Sequence, residues 1–164
     1  MVDNPTGILV LPHFAGAATP YMDTGSKGAF VGLELRHSPI EMFRAIMEGI
    51  TFEMRINMEK LAEGGIRING LNATGGCARS GLWLQMKADI LRVPVTRMEV
   101  DEAGTVGGIM LTGVATGAFA NLDEAAEILV RKIEVYHPRS EAGERYEEHY
   151  RRYRGLYGAV RPLV

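Results

Sequence analysis

The period of apolar and polar positions changes several times along this chain, and each change marks an element. Gly7-Ile-Leu-Val-Leu11 is a short continuous apolar run ahead of Pro12, the pattern of a buried strand. Residues 12–38 are rich in glycine, proline and small side chains, with a turn at 21–25 and a short strand or extended segment over 29–35. The period then becomes helical. Ser38-Pro39-Ile40-Glu41 combines an N-cap serine, a proline at the first helical position and the glutamate of a capping box. Phe43, Ile46, Met47, Ile50, Met54, Met58 and Leu61 recur at spacings of three and four, which predicts a helix over 39–63 ended by Gly64-Gly65.

Residues 66–73 read as a strand, Gly75-Gly76-Cys77-Ala78 as a turn, and 81–91 as a helix that opens near Ser80 and stops before Pro94. Val95, Arg97 and Glu99 alternate with Thr96, Met98 and Val100, so 95–100 reads as a strand. Residues 103–119 are apolar and small, with Gly104, Gly107, Gly108, Gly113 and Gly117. Each glycine costs a helix about 1 kcal/mol relative to alanine, so this helix is expected to be buried against a closely packed neighbour. Asn121 caps a helix with an acidic first turn that runs to about Tyr136 and stops at Pro138. A last helix over 140–157 carries Tyr146, Tyr150, Tyr153 and Tyr157 on one face, and the pairs Glu147/Arg151 and Glu148/Arg152 on another. The order predicts an α/β fold, a sheet flanked by helices, in one domain.

Composition narrows the function classes. Net charge is −2, which leaves no basic footprint for nucleic acid. No apolar run reaches bilayer length, and the first residues lack the charged and apolar regions of a signal peptide. One cysteine excludes an internal disulfide and fits a reducing cytosol, so a cytoplasmic location is expected. His13, His37, His137 and His149 have no metal-ligand spacing, and no metal site is expected in these residues.

The candidate site is the glycine turn between strand and helix. Glycines there let the backbone lie close to a ligand, and the following helix offers unpaired N–H groups and the positive end of its dipole, which suits phosphate. Gly75, Gly76, Cys77, Ala78 and Ser80 are the candidate nucleotide-binding residues. The turn matches neither G-x-G-x-x-G nor G-x-x-x-x-G-K-[ST], and a dinucleotide-binding oxidoreductase domain has little support. Ser80 has two readings, a nucleotide ligand or an N-cap. Arg79, Asp23 and Asp89 read as solvated or turn residues, Cys77 as packed and unreactive, and the helical methionines as core fillers.

Gly28-Ala-Phe30-Val-Gly32-Leu33, seven further residues, then Glu41-Met42-Phe-Arg-Ala45-Ile46-Met47-Glu48 resembles the second signature of the FGGY carbohydrate kinases. Leu11-Pro12 with Thr19-Pro20 and Asp23 is similar to the segment just upstream in that family. Gly75-Gly76-Cys77-Ala78-Arg79-Ser80, backed by Leu82-Trp83, resembles its adenine-nucleotide loop, with Cys77 where a third glycine is usual. Xylulokinase-type members are most similar, through Arg79-Ser80, Leu82-Trp83 and Lys87-Ala-Asp-Ile-Leu91.

The resemblance implies part of the C-terminal domain of an actin-like, ribonuclease H-like ATPase. It also implies transfer of a phosphoryl group from ATP, with Mg²⁺, to a sugar or polyol hydroxyl, a pentulose such as xylulose. It extends over only about the last third of a family member. The N-terminal domain that holds the sugar and the aspartate base has no counterpart here, so no catalytic residue is expected in this chain, which should bind ATP or ADP without turnover. In the family, the segment of His13 approaches the sugar cleft, and Glu48 is a signature residue expected to bond to backbone at a domain contact. The alternative is a non-catalytic module that uses the half-fold to bind a partner, or a second copy in a homodimer, through the glycine-rich helix.

Overall fold

The computed structural model describes residues 4–100 and 102–164. Two small sheets and one long helix organise it. Strand β1 (Leu9–Leu11) pairs antiparallel with β2 (Ala29–Val31), Val10 facing Phe30. Helix α1 (Pro39–Glu63) starts at the predicted capping box: Ser38 Oγ accepts from the Glu41 N–H, and the Glu41 carboxylate accepts from the Ser38 N–H. It ends at Gly64.

Strand β3 (Leu71–Ala73) lies parallel to β4 (Val95–Met98), with helix α2 (Gly81–Leu91) as the connection. Strand β5 (Lys132–Tyr136) pairs antiparallel on the other side of β4, giving the order β3-β4-β5. Helices α3 (Ala103–Ala115) and α4 (Leu122–Leu129) lie between β4 and β5 in sequence and pack on each other. Helices α5 (Ser140–Tyr153) and α6 (Leu156–Val160) close the chain.

The core lies between β1, α1, α2, α5 and α6. Phe52 of α1 meets Tyr146, Tyr150 and Tyr153 of α5, with ring centroids 5.0–6.4 Å apart. Tyr146, Tyr150 and Tyr153 therefore pack as their spacing predicts, while the expected helix 140–157 breaks at Arg154-Gly155 and puts Tyr157 on α6, stacked on Tyr21. Trp83 of α2 lies against the same core and donates its ring N–H to Thr51 Oγ1 at 3.3 Å.

The buried face of α1 is the predicted stripe only in part. Met47 is buried and Met54 and Met58 pack against the core as expected, but the face also takes in Ala45, Glu48, Gly49, Phe52 and Ile56, while Phe43 and Leu61 are exposed. Two contacts set this rotation. At Gly49 a Cβ would overlap the Val10 carbonyl, so β1 crosses α1 at the one position with no side chain. Beside it the Glu48 carboxylate, 0% exposed, accepts from Thr6 Oγ1 at 2.8 Å and from the Thr6 N–H at 3.2 Å. Arg44 Nε reaches it at 3.2 Å and the Tyr146 hydroxyl at 3.4 Å. Burial raises the Glu48 pKa, and the bonds from Thr6 and Arg44 work against that rise. Glu48 thus does bond to backbone, within this unit.

Four further expectations are corrected. The expected helix 121–136 stops at Leu129, because Lys132-Ile-Glu-Val-Tyr136 alternates with period two and pairs with β4. Asp89 is not solvated: it is 0% exposed and accepts from the Arg139 N–H (2.8 Å), the Arg139 guanidinium (2.7 Å) and Gln85 (2.9 Å). Glu147 turns toward Arg55 (2.8 Å) and Arg92 (3.4 Å) instead of serving chiefly its own helix. The glycine-rich helix α3 is exposed along most of its length, with Gly113 its buried residue.

Gly49→Ala should destabilise the chain by about 1–3 kcal/mol, the usual cost of overpacking; an unchanged urea midpoint would contradict the α1–β1 crossing. His149 gives a pH dependence. Its ring lies 3.4 Å from the Ile8 carbonyl, and burial holds its pKa below the ordinary 6.5. Arg152 adds to that lowering, and Glu148 opposes it. A lowered folded value means that the stabilisation is present above 6.5 and is lost as pH falls through the folded pKa. Urea unfolding at pH 7.5 and 5.5 should therefore show a larger acid loss for the native chain than for His149→Gln.

Candidate nucleotide site

The carboxyl ends of parallel β3 and β4 point the same way, and the glycine turn rises from the end of β3. Gly75 has φ 76° and ψ −170°, a conformation essentially closed to residues with a Cβ. This turns the chain out of the sheet while the Gly75 N–H still donates to the Val100 carbonyl at 3.2 Å. Gly76–Arg79 then form one 3-10 turn, closed by the Ala78 N–H on the Gly75 carbonyl (3.0 Å). The opening amides of such a turn have no partner inside it, which leaves donors for an anionic oxygen.

Ser80 ends that turn and begins α2. Its hydroxyl accepts from the Trp83 N–H at 3.3 Å, so the N-cap reading holds, and the hydroxyl proton is still available to a ligand. Ala78 is buried and anchors the turn. Cys77 is exposed, which corrects the expectation that it packs. In a short turn between two anchored residues, Ala78 takes the inward position and leaves position 77 facing out. Lys87, one turn beyond Trp83 in α2, sits 4.4 Å over the Trp83 ring, and burial lowers its pKa while Cys77 acts in the opposite sense.

A cleft of about 330 Å³ lies between this turn and the outgoing end of β4. Gly75, Ala78 and Arg79 line one side, and Arg97, Glu99 and Ile133 are among the residues opposite. Of the five candidates, Gly75 and Ala78 face this cleft, whereas Gly76, Cys77 and Ser80 do not line it. Arg79, read from sequence as a surface residue, is exposed and also lines the cleft. Ile133 is missed by sequence reasoning, which takes its strand for helix; the alternation over 132–136 is the available signal.

His13 belongs to a separate buried cluster. Its Nδ1 is 2.8 Å from Ser26 Oγ and its Nε2 3.6 Å from Glu53, which accepts from the Tyr153 hydroxyl at 2.6 Å. Asp23 takes hydrogen bonds from Tyr157, Arg161 and the Gly25 N–H, and these hold its pKa down, Tyr157 foremost. Among the described residues no group of three or more His, Cys, Asp or Glu is placed to hold a metal. No helix among them is long and apolar enough to cross a membrane.

A glycine-kinked turn between a parallel strand and a capped helix places the chain among α/β domains. Residues 1–116 match the model of the FGGY family of carbohydrate kinases, C-terminal domain, and the chain belongs to that family. It is 31% identical over 158 residues to a xylulose kinase of Staphylococcus epidermidis, covering 96% of this chain and 32% of that protein. The structure of a ligand-bound xylulose kinase from Lactobacillus acidophilus superposes with a TM-score of 0.84 at 29% identity, over 97% of this chain and 33% of that one. Plasmodium falciparum glycerol kinase, solved with ADP, shares the fold with a TM-score of 0.77 at 20% identity, over 94% of this chain and 31% of that one. The fold is accordingly the α/β, actin-like ATPase type expected from the sequence. The chain spans about a third of the length of the curated relatives it matches.

Gly75→Ala should cost about 1–3 kcal/mol, because alanine must either adopt the strained φ or release the bond to Val100. Equal thermal stability of the variant and the native chain would show that the turn does not need its glycine.

Proposed function

We propose that this chain supplies the adenine-nucleotide-binding part of an ATP-dependent sugar kinase whose acceptor is a pentulose such as xylulose. The observation that carries the reading is the Gly75–Ser80 turn, with its left-handed glycine, its opening amides and its capped helix. Gly75 and Gly76 let the backbone approach ribose and α-phosphate; the turn amides and the start of α2 face the phosphate oxygens; Ser80 offers its hydroxyl proton. The ADP-bound glycerol kinase of the same fold supports an adenine nucleotide as ligand.

In the reaction, the acceptor hydroxyl oxygen forms the new bond to the γ-phosphorus as the bond to the β–γ bridging oxygen breaks. ADP leaves, and a base takes the hydroxyl proton. Such a transfer depends on alignment and charge stabilisation more than on covalent help. The sugar and the base are assigned to the part of the kinase length that these 164 residues do not span. Mg²⁺ accompanies ATP in this chemistry, and among the described residues no group of three or more His, Cys, Asp or Glu is placed to hold it.

Titration calorimetry with ADP should show binding by the chain, and D-xylulose should not be phosphorylated by the chain alone. Gly76→Val is the sharpest probe, because a Cβ at position 76 meets nothing within 4 Å. The variant should keep its melting temperature yet lose at least about tenfold in ADP affinity, close to 1.4 kcal/mol. Unchanged affinity would remove the turn from the site. ADP should also slow maleimide labelling of the exposed Cys77.

A further inference from the structure

A cavity of about 370 Å³ lies at the opposite end of α2 from the glycine turn, between the last turns of α1 and the residues that lead into β3. The 11 residues of α2 put it about 16 Å from the turn. Its volume is within the range of small-molecule sites. Arg55, Arg67 and Arg92 line it, and Glu59 is the one carboxylate among the lining residues. Met58, Leu91 and Val93 supply apolar wall, and Asn69 an amide.

The three arginines are held in different ways. Arg55 is built in. Its guanidinium lies 4.0 Å over the buried Tyr150 ring and donates to the Ile90 carbonyl at 3.3 Å and to Glu147 at 2.8 Å. Its Nε faces Glu59 at 3.5 Å, beyond the usual hydrogen-bond range. Arg92 has a left-handed backbone, φ 57°, at the end of α2, where glycine is the ordinary residue. From there it donates to the Gly143 carbonyl at 3.1 Å and shares Glu147 with Arg55. Arg67 is exposed, and among the described residues nothing bonds to it. Three cations are thus set against two carboxylates. The Tyr150 hydroxyl, meanwhile, is buried beside Glu59 without a well-formed hydrogen bond.

The geometry points to a second small-molecule site in this cavity, one that takes a hydroxylated phosphate monoester of sugar-phosphate size. The phosphate carries close to two negative charges at neutral pH and suits the open fork of Arg67 and the Nε of Arg55. Once the phosphate takes that Nε, Glu59 turns, closing one oxygen on the Tyr150 hydroxyl and accepting a ligand hydroxyl with the other. Asn69 bonds a further hydroxyl, and the carbon skeleton lies on Met58, Leu91 and Val93. The site stands on its own residues; the kinase reading adds only that such an enzyme releases a molecule of this class.

Titration calorimetry of the chain with D-xylulose 5-phosphate, inorganic phosphate and D-xylulose tests the assignment. The sugar phosphate should bind, inorganic phosphate at least about tenfold more weakly, and D-xylulose not at all. Arg67→Ala should weaken the sugar phosphate about tenfold or more, the usual worth of a hydrogen bond to a charged group, with no change in melting temperature or in ADP affinity. Amide NMR shifts on adding the sugar phosphate should fall at Arg67–Asn69 and Val93, and not at Gly75–Ser80. Absence of binding at millimolar sugar phosphate, unchanged affinity in Arg67→Ala, or shifts confined to the glycine turn overturns the site. Inorganic phosphate binding as tightly as the sugar phosphate overturns the ligand class. If Arg67→Ala does not fold, the position of the amide shifts decides. ADP binding with no sugar-phosphate binding would sink this site alone. Sugar-phosphate binding that survives Gly76→Val, in a chain without ADP affinity, would sink the nucleotide reading alone.

Discussion

Where β1 crosses α1, the Val10 carbonyl occupies the space a side chain at position 49 would need, and Glu48 reaches past it to hold Thr6. These adjacent residues fix the rotation of the longest helix, and that rotation decides how it meets β1, α2 and α5. With Glu48 and Gly49 turned inward, Phe52 falls under the tyrosines of α5, and Thr51 comes within reach of Trp83 on α2. α2 is then held with its N-terminus beside the glycine turn. A carboxylate with 0% exposure is costly, and it is tolerated here because three elements satisfy it: the N-terminal segment, α1 through Arg44, and α5 through Tyr146.

Below the candidate site, the β3–β4 pair aims the turn, Gly75 lifts it out of the sheet, and the Val100 contact ties it to the strand that forms the opposite wall of the cleft. Ala78 buries the turn from beneath, and Ser80 starts α2. A site of this kind uses main-chain donors, so its side chains are free to vary so long as the glycines remain. That is why an exposed cysteine can stand between Gly76 and Ala78 without disturbing the geometry.

Features written in local chemistry were legible in the sequence. The capping box at Ser38–Glu41, the cap at Ser80, the strand-turn-helix around Gly75 and the packed tyrosine face each depend on residues a few positions apart. What was not legible depends on partners far away. The buried face of α1 includes Ala45, Glu48 and Gly49 beside Met47, Phe52 and Ile56, and an alanine, a glutamate and a glycine leave no trace in an apolar stripe. Asp89 reads as solvated in sequence because its partner, Arg139, lies 50 positions away. β5 follows a good N-cap and an acidic turn, and only pairing with β4 shows where helix gives way to strand. For α3 the composition predicts a buried helix, and most of it is exposed: α4 packs on it, and Gly113 meets Phe119, but a Cβ at Gly104, Gly107 or Gly108 would meet nothing within 4 Å.

Trp83, the single tryptophan of the chain, stands three residues after the cap of α2. Its ring is anchored to Thr51 on one side and covered by the Lys87 ammonium on the other. One chromophore is thus mounted between the glycine turn and the core. The molecule carries its own optical gauge: a shift of the turn relative to α1 changes the polarity around one ring, and no second indole obscures the signal.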